Sequence, residues 1–252
     1  MLQPSLFISH GAPDLIISND PILSFFRNFG LAHPAPKAVV VVSAHWVSTT
    51  VKIASQVEYD LIYDFSGFAD ELYQTNYPAK GDTILANHLK SRLANLGVAV
   101  QCTFNRGLDH GAWVPLKVIY PGANIPIIAI SLPDQWDNCI ALGDFLGALR
   151  KEGIMILCSG GSVHNLRDLN RQGVTEAWAK TFTQHLTTAV EHGGTQKLQE
   201  LMTAEPLLSR AHPTLEHLTP LLVAAAAGQG CPGRLVYDSY TYGNLGMACY
   251  QF

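Results

Sequence analysis

Leu6-Phe7-Ile8-Ser9-His10-Gly11-Ala12-Pro13 joins an apolar run to a histidine and two chain breakers. The run has the length of a buried strand, and Gly11 and Pro13 end it. His10 is thereby expected where a strand gives way to a loop. The construction recurs. Ala38-Val39-Val40-Val41-Val42-Ser43-Ala44 runs into His45-Trp46, and Ile154-Met155-Ile156-Leu157-Cys158-Ser159 passes through Gly160-Gly161 to His164. A fourth apolar stretch, residues 98–103, opens through Asn105-Arg106-Gly107-Leu108-Asp109 into His110. Unbroken valines suit a parallel strand covered on both faces. Open α/β sheets bind ligands just outside the carboxyl ends of their strands. The pattern therefore predicts one shared pocket for His10, His45, His110 and His164.

Between these strands the sequence reads as helices. Asp20 is placed to cap a helix over 21–29, and Asp82 one over 83–96 that Gly97 stops. Further helices are expected over 114–119, 137–150, 176–191, 195–202 and 218–227. Strands are expected over 49–54 and 125–132, with a closing strand or hairpin over 234–237 and 247–252. Residues 59–81 lack clear periodicity and read as a long aromatic loop, either functional or a satellite apolar cluster. Strand and helix alternate without a repeat or a linker. This predicts one α/β domain over residues 1–252, with a central, mostly parallel sheet flanked by helices.

The bulk composition agrees. Of 252 residues, 48% are hydrophobic and 14% charged, as an ordered, core-rich chain requires. A net charge of −4 offers no electrostatic footprint for nucleic acid or an anionic membrane. No apolar run approaches the ~20 residues of a bilayer span, and no basic region with an apolar core opens the chain. The five cysteines are scattered, with no CxxC pair, against both a disulfide framework and a thiolate zinc site. A reduced, cytoplasmic protein is expected; the sequence says nothing of its oligomeric state. Ten histidines are the one compositional anomaly.

His33, His88, His185 and His192 fall in a linker or on polar helices and read as surface residues. The segment Ala211-His212-Pro213-Thr214-Leu215-Glu216-His217-Leu218-Thr219-Pro220 is different. It precedes a very apolar helix, and Thr214 is a plausible N-cap that leaves His217 near the helix start. Capping by Thr214 and Glu216 would not explain two histidines there. Ser159-Gly160-Gly161-Ser162 reads either as an anion cradle or as a tight turn that positions His164. There is no GxSxG elbow, P-loop lysine, HExxH or GxGxxG.

Taken together, Ser-His-Gly-Ala-Pro (9–13), Ser-Ala-His-Trp (43–46), Leu-Asp-His-Gly-Ala-Trp (108–113), Ser-Gly-Gly-Ser-Val-His-Asn (159–165) and His-Pro-Thr-Leu-Glu-His-Leu-Thr-Pro (212–220) resemble the class III extradiol ring-cleavage dioxygenases, and more narrowly their DOPA 4,5-dioxygenase branch. The order and spacing of these blocks cover nearly the whole chain. The resemblance implies a mononuclear non-haem Fe(II) site at the carboxyl ends of the strands, which cleaves a catechol with O2. It implies His10, His45 and His217 as metal ligands, with Glu216 the alternative to His217. His164 would be the acid/base beside the metal, or a fourth ligand. His110 would contact substrate or oxygen. Trp46, Tyr242 and the loop from Tyr59 to Tyr73 are further candidates for substrate contact.

Three protein ligands on one octahedral face leave room for a bidentate catechol and for O2. A histidine near its ordinary pKa of about 6.5 is suited to take a phenolic proton and later return one. Zn2+ is a plausible occupant after purification, but it lacks the redox step. Two other readings use the same histidines: a zinc hydrolase that activates water, and a non-catalytic metal-binding protein on this fold.

Overall fold

The computed structural model describes residues 2–170 and 173–252. Its sheet strands are β1 (Ser5–Ser9), β2 (Ala38–Ser48), β3 (Val51–Ala54), β4 (Val100–Thr103), β5 (Ile127–Pro133), β6 (Ile154–Gly160), β7 (Arg234–Tyr237), and β10 (Cys249–Gln251). The short pair β8 (Tyr240–Thr241) and β9 (Leu245–Gly246) forms a separate ladder. The main sheet has the order β4-β3-β5-β2-β6-β1-β10-β7. Its centre, β5-β2-β6-β1, is parallel. The C-terminal strands β10 and β7 add antiparallel at one side, as the closing hairpin predicted. At the other side β3 runs antiparallel to β5, and β4 runs parallel to β3. The mostly parallel α/β fold expected from the sequence is the fold observed.

The alternation of strand side chains divides the core. Phe7, Val40 and Val42 point to one face, with Leu89, Leu146, Phe182 and Leu222 from the helices above it. Leu6, Ile8, Val39 and Val41 point to the other, against Phe26 and Trp113. Both faces being covered explains why these strands read as continuous apolar runs. The helices are α1 (Ile22–Ala32), α2 (Asp70–Tyr73), α3 (Thr83–Asn95), α4 (His110–Ile119), α5 (Trp136–Leu149), α6 (Ala177–Ala204), α7 (Leu208–Ala211) and α8 (Pro220–Ala227). Asp82 caps α3 by accepting the Ile84 and Leu85 N–H groups. The two helices expected over 176–202 are present in α6, which breaks at Gly194, where φ is 55°.

Three local expectations need correction. β2 does not stop at Ala44; it continues through His45 with a register break between Ser43 and Val47. His45 is thus presented from an irregularity within a strand, a device common beside active sites. α4 starts at His110, not at 114, because Asp109 accepts the Ala112 N–H and caps it. Thr214 caps nothing: α8 begins at Pro220 without a side-chain cap, and the Thr214 hydroxyl donates to Glu216 instead.

Candidate metal centre

Four chain segments bring histidines to one place. His10 leaves the end of β1. His45 comes from the break in β2. His164 follows β6, and His217 precedes α8. His110 arrives by another route than the sequence suggested. β4 runs against the central strands, so its end is not on their carboxyl edge; the first turn of α4 carries His110 in instead.

The contact of each ring with its surroundings fixes where its lone pair points. Pro115 inside α4 has no N–H to give the Gly111 carbonyl four residues earlier. The Ser159 hydroxyl supplies that hydrogen bond. Ser159 Oγ is then left as an acceptor for His10 Nδ1–H at 2.8 Å. His45 Nδ1 faces Asp64 Oδ2 at 3.2 Å, and His217 Nδ1 faces Glu216 Oε1 at 3.2 Å. A carboxylate only accepts, so the protons are on Nδ1 and the Nε2 lone pairs are bare.

Those bare nitrogens converge. His10 Nε2 lies 3.1 Å from His45 Nε2, which lies 3.3 Å from His217 Nε2. Such an arrangement is repulsive unless a cation sits among the three. Nitrogens bound ~2.1 Å from one ion at 90–110° are separated by roughly 3.0–3.4 Å. The donor set therefore fits a divalent transition metal that prefers imidazole. Each of the three rings also has an outer partner of the kind that orients metal-binding histidines.

Around this centre, His110 packs 4.2 Å from His45 between ring centroids. His164 stacks flat on His217, with centroids 3.5 Å apart and planes within 5°. Burial, then the neighbouring His110 and His217, lower the His45 pKa to about 3. Burial, then His217 and His212, lower that of His164 to about 3. Burial thus keeps the His164 ring neutral at pH 7. Glu216, hydrogen-bonded to His217, is held at about 2 and stays ionised.

Backbone packing seats these histidines. A Cβ on Gly160 would lie 2.0 Å from the His217 carbonyl oxygen. Gly161 N–H donates to that same carbonyl, and Ser162 N–H donates to Ser9 Oγ. The Ser159–Ser162 turn is therefore a seat for the His217 segment and not an anion cradle. A Cβ on Gly111 would crowd Ser43 Oγ, His45 and His10.

A family model described as "Catalytic LigB subunit of aromatic ring-opening dioxygenase" matches residues 16–252. The chain belongs to this family. His10 precedes the matched stretch, but full-length relatives cover it. A "4,5-DOPA dioxygenase extradiol" of Beta vulgaris is 36% identical, over 100% of this chain and 97% of its own. One of the same name from Escherichia coli (strain K12) is 33% identical, over 99% and 94%. The crystal structure of an uncharacterized Escherichia coli K12 protein superposes with a TM-score of 0.85 at 30% identity, covering 99% of both chains. LigB-type dioxygenases are metal-dependent, and this chain has a histidine cluster able to hold the metal. It is an extradiol dioxygenase, acting on a small aromatic molecule and O2.

Two residues of this cluster escaped the sequence reading. Asp64, in the aromatic loop, touches both His45 and His110. Asp109, buried, accepts from Ser43 Oγ at 2.6 Å and from Arg106 at 2.8 Å. Their only sequence signal is an acid in a long loop and an acid before a histidine. Of the proposed substrate contacts, Trp46 lies beneath the Arg106 guanidinium. Tyr242 donates to Asp14 and lines a hollow of about 190 Å3 whose lining includes no histidine. His212 is buried, with Nε2 against the Ser162 carbonyl, and supports the turn. Among the described residues no helix is long and apolar enough to cross a membrane.

Proposed function

We propose that the chain is a mononuclear non-haem Fe(II) dioxygenase that opens a catechol by extradiol cleavage, of the DOPA type with 4,5 regiochemistry. The observation that carries this reading is the convergence of three Nε2 lone pairs from His10, His45 and His217. The relatives named 4,5-DOPA dioxygenase extradiol support the substrate. Iron(II) held by these residues supplies the redox chemistry that lets O2 react with a catechol, which zinc lacks. Three neutral imidazoles leave the metal charge unbalanced and so favour a catecholate. Glu216, engaged on His217 Nδ1, serves as its orienting partner.

His164 and His110 do the remaining work. The neutral His164 ring takes a proton from a catechol hydroxyl and returns one as the ring opens. His110 hydrogen-bonds the bound substrate or oxygen. Trp46, Tyr242 and the loop from Tyr59 to Tyr73 are the further proposed substrate contacts. The five unpaired cysteines fit a reducing compartment, and we place the protein in the cytoplasm.

The test is O2 consumption by protein loaded anaerobically with Fe(II), across L-DOPA and simple catechols. Uptake of one O2 per ring, with a yellow semialdehyde product, is expected. Product structure by mass spectrometry and NMR separates 4,5 from 2,3 cleavage. No uptake with any catechol would sink the reading.

A further inference from the structure

The stretch around Asp64 is stitched to the segment that enters α4. Ile62 N–H donates to the Leu108 carbonyl at 2.7 Å, and Leu108 N–H to the Asp60 carbonyl at 2.9 Å. Trp113 Nε1–H donates to the Ile62 carbonyl at 3.3 Å. This seam delivers one carboxylate to two histidines. Asp64 Oδ1 accepts the His110 backbone N–H at 3.0 Å and His110 Nδ1–H at 2.8 Å. Asp64 Oδ2 lies 3.2 Å from His45 Nδ1.

We propose that Asp64 is a positioning residue whose two oxygens set the ring orientation and tautomer of the metal-facing His45 and the substrate-facing His110 together. A loop anchor would need only the backbone N–H of His110. The additional pair of ring contacts does something else. Because a carboxylate has no proton to give, each ring must carry its proton on Nδ1. In the neutral imidazole that leaves Nε2 bare, and His45 turns its Nε2 towards those of His10 and His217. His110 therefore meets a substrate hydroxyl as an acceptor. Metal ligation and substrate orientation share one carboxylate, so a single change at Asp64 disturbs both. The assignment rests on the metal-centre reading above and deepens it.

The test compares wild type with Asp64→Asn and Asp64→Glu, and with Glu58→Gln, an exposed carboxylate just before the loop, as a charge-loss control. Zinc affinity is measured by chelator competition on the full chain. Ring tautomers of His45 and His110 are read from long-range 1H–15N spectra of the zinc-loaded protein. Wild type should show both rings protonated on Nδ1. Asp64→Asn, which offers a single acceptor oxygen, should lose that signature at one ring or both. Its zinc affinity should fall by about 10–100-fold, the usual effect of removing a ligand's outer partner. Asp64→Glu should recover part of the loss, and Glu58→Gln should stay within about twofold of wild type. In the Fe(II) enzyme, Asp64→Asn should both raise KM and lower kcat.

Zinc affinity within about twofold of wild type in Asp64→Asn, with unchanged tautomers, overturns the proposal. So does a wild-type His110 protonated on Nε2, whatever the variants do. Wild type that binds zinc but never consumes O2 sinks the dioxygenase reading and leaves both Asp64 readouts standing. Wild type that binds no zinc overturns both.

Discussion

His10 Nδ1–H meets the Ser159 hydroxyl at 2.8 Å, and that hydroxyl donates onward to the Gly111 carbonyl freed by Pro115. Ser159→Ala strands both ends of this fully buried relay. The expected cost is about 1–3 kcal/mol of stability, with metal affinity lower by about tenfold or more. Urea unfolding and chelator competition measure the two. Unchanged metal affinity would mean that Ser159 does not orient His10.

Gly160 and Gly161 should respond oppositely to alanine. At Gly160 the new methyl group meets the His217 carbonyl at 2.0 Å, and backbone must move. At Gly161 its nearest neighbours are His164 side-chain atoms at 3.5 Å or more, ordinary contact. Gly160→Ala is expected to lose about 1–3 kcal/mol and most metal binding. Gly161→Ala should retain both. Metal content after dialysis distinguishes them.

His217 and Glu216 can be told apart by removing each. His217→Ala should abolish metal retention. Glu216→Ala removes only the carboxylate on His217 Nδ1, so metal should persist with affinity lower by about 10–100-fold. The reverse order would make Glu216 the ligand.

His164→Ala should leave metal content near wild type while kcat falls by about 10^2–10^4-fold, the usual contribution of a general acid–base group. Loss of metal together with activity would make His164 a fourth ligand. Metal analysis of the same samples used for kinetics decides between the two outcomes.

His212 predicts a pH effect on stability. Burial lowers its pKa to about 4. Above the unfolded value of about 6.5, neither state carries the proton. Below it the unfolded chain binds the proton first, so stability is lost as pH falls from about 6.5 towards 4. By pH 5 the loss from this group is about 2 kcal/mol. Metal-free protein should therefore be less stable at pH 5 than at pH 7, and His212→Gln should shrink the difference by about 2 kcal/mol, the rest coming from the buried His10, His45 and His164. An equal slope in the variant would contradict the assignment.

The strand-end positions of His10 and His164 were legible because a buried parallel strand writes a plain pattern: a short apolar run, then glycine or proline. The same pattern carried the sheet's parallel centre and the covering helices. His45 and His110 were read as belonging to the site, but for the wrong local reason. A register break inside β2 depends on its pairing with β5, and the direction of β4 depends on β3. Neither pairing partner is near in sequence.

The residue types of the site, its histidine-rich blocks and their order were thus determined by the sequence alone, because strand periodicity and chain breakers are local. Which nitrogen each histidine turns inward was decided only by tertiary structure. Ser159 is 149 residues from His10, and Asp64 is 46 from His110. A ring's tautomer follows from the acceptor packed against its far side, and that acceptor is a property of the folded neighbourhood.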